Sequence, residues 1–192
     1  MKLGYKRTWY LVAFDHLCAA VFSAAFGTVL ASCRPVSAEQ SPLRSVTGVR
    51  AKLLGEHDQK REIQLVFEPH AEIMATLSDF ILANGFKAAD FTALGAVTDA
   101  VIGYYDPPAR NYRRTSFRQQ MEIVSLIGDA APTNGGAGLH AHIGLGFADG
   151  TMHGGHLFEA HAFPTSEMYL VASPTALHRR HDDALNADLL VP

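Results

Sequence analysis

An α+β fold, an antiparallel β-sheet with one main helix packed on it, follows from three features of this 192-residue chain. Beyond residue 60 a single stretch places apolar residues at helical spacing: Ile73, Leu77, Phe80 and Ile81. Nearly everything after it is rich in β-formers and punctuated by turn residues. One helix followed by strands in series favours an antiparallel sheet over the βαβ repeats of a parallel one.

The elements follow in order. Glu62 to Phe67 alternates Ile63, Leu65 and Phe67 with polar partners, the pattern of a half-buried strand. Pro69 opens the helix and Asn84-Gly85 stops it. Phe91–Tyr105 reads as a strand ended by Asp106-Pro107-Pro108. Tyr112–Ile127 reads as a long strand broken by Gly128-Asp129, and Thr133-Asn134-Gly135-Gly136 forms a loop. Leu139–Ala148 runs to a two-residue hairpin turn at Asp149-Gly150, and Phe163–Ala172 is the last strong strand. The tail from Pro174 is polar at first, with Ala184–Val191 as a short helix or edge segment.

Ahead of this domain the chain has the layout of an export signal. Lys2, Lys6 and Arg7 form a basic start, Leu17–Leu30 is apolar, and Leu30-Ala31-Ser32-Cys33 resembles the bacterial lipobox, in which the cysteine is lipidated after cleavage. Val36-Ser37-Ala38 is a rival cleavage site. An uncleaved membrane span over Trp9–Ala31 is disfavoured by Asp15, since a charge at depth costs about 3 kcal/mol. The layout is therefore 1–32 export signal, 33–60 tether, 61–174 domain and 175–192 tail. The expected location is periplasmic, held to a membrane through lipid on Cys33. Losing residues 1–32 removes three cations and Asp15, a net +2, so the formal charge falls from −3 to −5. The chain has two cysteines, Cys18 and Cys33, so the folded part has neither disulfide nor thiol chemistry. Any metal there must be held by nitrogen and oxygen.

Five of the ten histidines fall between His140 and His161. Alternate residues of a strand share a face, so His140 and His142 point together over Gly144 and Gly146, while Ala141, Ile143, Leu145 and Phe147 form an apolar core row. His156 is the natural third ligand of a three-His site for a divalent ion, zinc being the best fit. A two-residue turn would set His142 opposite Leu157, so one extra residue is needed, and a bulge at Gly154-Gly155 supplies it most cheaply. His153 and His161 are possible accessory ligands. Glu159 and Glu167 are candidate bases for bound water or orienting partners. Any one of these histidines alone is better read as an ordinary hydrogen-bonded residue. The H-x-H pair with G-G-H favours a metal. His57, His70, His178 and His181 are assigned to the surface.

Leu139-His140-Ala141-His142, Asp149-Gly150, Gly154-Gly155-His156-Leu157 and Pro164-Thr165-Ser166-Glu167 together resemble the prokaryotic members of the plants and prokaryotes conserved (PPC) domain family. Phe91–Val97 and Glu122–Gly128 fit the same family, so the resemblance spans about Arg61 to Ala172. It implies an α+β domain assembled as a homotrimer, with metal bound at the positions of His140, His142 and His156. In plants the domain accompanies AT-hooks in DNA-binding proteins. This chain has no Arg-Gly-Arg-Pro core.

Three functions compete. The leading one is a metal- or small-ligand-binding trimer without turnover. A metal-dependent hydrolase, with Glu159 or Glu167 as proton acceptor, is the first alternative, and no substrate is specified. DNA binding is the second. Arg110, Arg113, Arg114 and Arg118 near Tyr112 and Phe117 support it, but a net −5 and an export signal make nucleic acid an unexpected partner.

Overall fold

The computed structural model describes residues 42–133 and 135–191. The export signal, Cys33 and the tether's first residues lie outside the described residues. Eight strands and one helix follow in the order β1 (Val49–His57), β2 (Lys60–Phe67), α1 (Ile73–Ala83), β3 (Ala88–Asp106), β4 (Asn111–Ala130), β5 (Leu139–Gly146), β6 (Met152–Ser173), β7 (His178–Asp182) and β8 (Ala187–Val191). The first six strands form one antiparallel sheet in the order β1-β2-β6-β3-β4-β5. Strand β5 also pairs with the start of β6, so β3, β4, β5 and β6 close on one another. The expected α+β sheet with one helix is what forms.

Helix α1 has only 11 residues, too short to persist alone in water. Its stripe of Ile73, Leu77, Phe80 and Ile81 is wholly buried. At about 1.5–3 kcal/mol for each buried side chain, packing rather than propensity holds it. Facing it are Ile63, Leu65 and Phe67 of β2 and Met168 and Leu170 of β6, all in the same core. The helix starts at Ile73 and not at Pro69, because Glu72 is the N-cap: its carboxylate accepts from the amides of Met74 (3.1 Å) and Ala75 (2.5 Å). It also accepts from the Ala160 amide at 3.0 Å, pinning the helix to β6. The Asn84-Gly85 stop is as read from the sequence, with Phe86 N bonding Ile81 O and Gly85 N bonding Leu82 O.

Other boundaries shift. The sheet begins at Val49, inside the stretch read as tether. That strand lies at the edge, and among its residues only Val49 is buried, so it carries little hydrophobic alternation. Strand β4 continues through Gly128-Asp129 to Ala130. The tail forms the β7–β8 hairpin rather than a helix or a lone edge.

The turn between β5 and β6 corrects the expected parity. His142 does pair with His156, and the register runs unbroken to Gly146 opposite Met152. The extra residue lies in the turn itself. The Phe147 amide bonds the Thr151 carbonyl and the Gly150 amide bonds the Phe147 carbonyl, closing a three-residue loop of Ala148, Asp149 and Gly150. Gly150 takes φ +81°, a left-handed value that glycine adopts without strain. No bulge falls at Gly154-Gly155. Those glycines serve close approach instead: a Cβ on Gly155 would stand 2.5 Å from the Gly103 carbonyl oxygen of β3. One bulge of β6 falls at Phe158, where the pairing with β3 shifts between Val101/Glu159 and Ile102/Leu157, and another irregularity spans 163–165.

Candidate metal centre

Strand β5 aims its residues as the alternation required. Ala141, Ile143 and Leu145 are in the core, leaving His140 and His142 on the other face. Their cross-strand partners on β4 are Asp129 and Ile127. With His156 opposite His142, three imidazoles converge. Ring centroids lie 5.2 Å apart for His140–His142 and for His140–His156, and 5.6 Å for His142–His156. One nitrogen from each lies within 4.8 Å of the others. Ligation at 2.0–2.1 Å brings such nitrogens to about 3.4 Å, within reach of small χ rotations.

The electrostatics favour the neutral, electron-donating form of His140 and His156. Burial first, then the charges of His140, His142 and Arg114, push His156 down to about 4. Burial also lowers His140, with Arg179 and His142 adding to the effect and Asp129 opposing it. The Nδ1 of His156 is buried and has no hydrogen-bond partner among the described residues. A buried polar nitrogen normally finds a partner, and an ion between the rings would supply one. The all-nitrogen donor set and this orphaned atom fit a divalent ion.

Aromatic packing holds His156 in place. Tyr112 packs on it in a tilted arrangement at 4.6 Å and Phe158 meets it edge-on at 4.7 Å. The guanidinium of Arg114 lies 3.8 Å above the Phe158 ring. Sequence reading missed Tyr112 and Phe158 as neighbours of the site, although Phe158 at the bulge lies only two residues from His156.

The other expected participants stand elsewhere. His153 pairs with Leu145 and packs between Phe117 (5.3 Å) and Phe147 (5.0 Å), so it is no accessory to the triad. His161 belongs to a second cluster, its Nδ1 2.8 Å from Asp99 and 3.9 Å from Glu159. Burial raises Asp99, but hydrogen bonds from Thr98 and His161 and the charges of His161 and Arg118 outweigh it, so its pKa is lowered. Glu159 therefore serves that cluster rather than the triad. The Phe158 bulge shifts the face that β6 presents there. Glu167 lies further along β6 opposite Val66 and Leu94, too far along the strand to be a base for the triad. Among the histidines assigned to the surface, His57, His70 and His178 are exposed. His181 is exposed as well and also lines the cleft beside the triad, with Nδ1 2.9 Å from Asp188.

Three of the arginines have partners within the chain. Arg113 pairs with Asp106 at 3.2 Å, Arg114 caps Phe158, and Arg118 bears on Asp99. Among the described residues no helix is long and apolar enough to cross a membrane.

Comparison with known proteins agrees with this fold. A solved structure of a candidate DNA-binding protein from Bacteroides thetaiotaomicron superposes with a TM-score of 0.70 at 24% identity, covering 75% of this chain and 97% of the other. At that identity the likeness speaks for the fold. A metal-containing protein from Archaeoglobus fulgidus gives 0.64 at 31% identity, covering 68% of this chain and 93% of its own. A plant- and prokaryote-conserved protein from Pyrococcus horikoshii gives 0.63 at 26%, covering 75% and 96%. No curated protein matches the chain. The sequence model of one family matches residues 54–174, well over half the chain. This chain belongs to the Plants and Prokaryotes Conserved domain family.

Proposed function

We propose that the protein binds one divalent ion, zinc, through His140, His142 and His156, and works as a metal- and small-ligand-binding module. The convergence of one nitrogen from each of three imidazoles within 4.8 Å carries the reading, and the buried His156 Nδ1, without a partner among the described residues, agrees with it. The metal-containing relative from Archaeoglobus fulgidus supports it. Three neutral nitrogen ligands leave coordination positions open, as in catalytic zinc sites, and the bound ion acts there as a Lewis acid. A hydrolase additionally needs a base beside the ion, and neither Glu159 nor Glu167 is placed for that role. Binding without turnover therefore stands ahead. All three ligands come from one chain, so metal analysis of untagged protein should find about one ion per chain. Less than about 0.3 would remove the metal reading, and His142→Ala should abolish the binding.

The module is further proposed to be exported, tethered through lipid on Cys33, and assembled as a homotrimer. Leu94, Val124, Ile127 and Tyr169 leave large apolar surface exposed on the sheet, and a second copy of the chain would cover it. Light scattering should give a trimer that Ile127→Asp dissociates. Cys33→Ala should release the protein from the membrane fraction.

A further inference from the structure

A cleft of about 340 Å³ leads to His140 and His156, and its opposite wall is the β7–β8 hairpin, through Arg179, His181, Asp188 and Leu189. The family match ends at residue 174, before this hairpin begins. The wall is firmly fastened. Arg179, with a side chain only 8% exposed, pairs with Asp129 and donates through Nε to the Gly138 carbonyl at 3.1 Å. The Tyr105 hydroxyl donates to the Leu185 carbonyl at 2.5 Å, and Asn186 donates to the Arg110 carbonyl at 3.2 Å. A pre-formed cleft of this volume is within the range of small-molecule sites.

Its lining has a polar and an apolar end. At the inner end, an ion held by three neutral imidazoles keeps its full double charge, with Arg114 nearby over Phe158. The charge of Arg179 is offset by Asp129, and the Asp188 carboxylate, hydrogen-bonded to His181, sets one negative charge against the two positive charges of the ion. The unbalanced charge at the inner end is therefore positive. Tyr112 lines the cleft with its ring on His156. Its hydroxyl makes no hydrogen bond among the described residues, unlike that of Tyr105. Apolar surface in the lining comes from Leu189, 42% exposed, whereas Leu139 beside it packs partly onto the core.

We propose that this cleft binds a small monocarboxylate with a short apolar body, its carboxylate on the ion and beside the Tyr112 hydroxyl, its body against Leu189 of the hairpin. The proposal rests on the metal reading above. It makes the C-terminal hairpin, outside the matched family domain, the element that selects the ligand.

The test uses the full chain loaded with cobalt(II), whose visible bands report the coordination sphere. The cobalt titration alone reads the metal site. If no tetrahedral bands develop, the metal reading fails and this proposal with it. Once bands are present, acetate, propionate and butyrate are titrated in turn. Saturable shifts are expected, with affinity rising about fourfold for each added methylene. At saturating cobalt, Tyr112→Phe should weaken butyrate about fivefold to tenfold, and Leu189→Ala should flatten the dependence on chain length. Cobalt bands that butyrate leaves unchanged would overturn the cleft proposal alone. So would equal affinity for acetate, butyrate and inorganic phosphate, which would show an anion held by the ion without the cleft.

Discussion

Replacing Gly155 by alanine tests the link between the sheet and the triad without touching a ligand. The added Cβ would stand 2.5 Å from the Gly103 carbonyl oxygen, and real Cβ contacts do not fall under 3.0 Å. Strands β3 and β6 must therefore separate by at least about 0.5 Å beside His156. Overpacking of this kind costs about 1–3 kcal/mol. For a domain of this size that lowers the melting temperature by roughly 2–12 °C. Metal ligation tolerates about 0.2 Å, so His156 is carried out of range and affinity should fall at least tenfold. Competition against a chromophoric chelator measures the affinity, and calorimetry of the apoprotein measures stability. Wild-type zinc affinity in a Gly155→Ala protein, with melting unchanged within a degree, would refute the argument that glycine is there for close approach.

Three further outcomes are expected. His156 has its folded pKa pushed down to about 4 from an ordinary value near 6.5, so between those values the unfolded chain binds more protons. Apoprotein stability should therefore hold above pH 6.5 and decline as pH falls towards 4, and urea melts of His156→Gln should lack that part of the slope. Glu72→Ala removes the helix cap and leaves the Ala160 amide unpaired, at a cost of about 2–4 kcal/mol by denaturant titration, whereas Glu72→Gln should retain most of it. Arg179→Met unfastens the C-terminal hairpin, so amide exchange across His178–Val191 should accelerate while β3 and β6 keep their protection.

Local pattern carried much of this fold, and the misses share one cause. Helix α1 was legible because four apolar residues recur at helical spacing, and β5 because Ala141, Ile143 and Leu145 alternate against histidines. Strand β1 was not, since an edge strand buries too little to leave a pattern. The triad itself was legible once an extra residue was required between His142 and His156. Its location was mistaken because a loop of Ala148, Asp149 and Gly150 and a bulge at Gly154-Gly155 satisfy the same count. Only the close approach of Gly103 separates the two. Tyr112, Arg179 and His181 come to the site from β4 and from the tail, through pairings distant in sequence that no local period records. Glu159 and His161 misled for the complementary reason: nearness along the chain was taken for nearness in space, and the bulge at Phe158 undoes it.

The odd-numbered loop between β5 and β6 has an evolutionary corollary. All three donors sit on a single hairpin, so the centre is gained or lost as a unit, and the spacing of each motif from the loop decides which. A homologue lacking one residue among Ala148, Asp149 and Gly150 would still close Phe147 against Thr151 and keep the imidazoles paired, whereas one lacking a residue between Thr151 and Gly155 would turn its last imidazole to the opposite side of the ribbon. Relaxing the Phe158 bulge would absorb the slip, leaving the rest of β6 in register with β3. Equal spacing of the two motifs from the loop thus sorts metal-competent relatives from incompetent ones better than counting histidines.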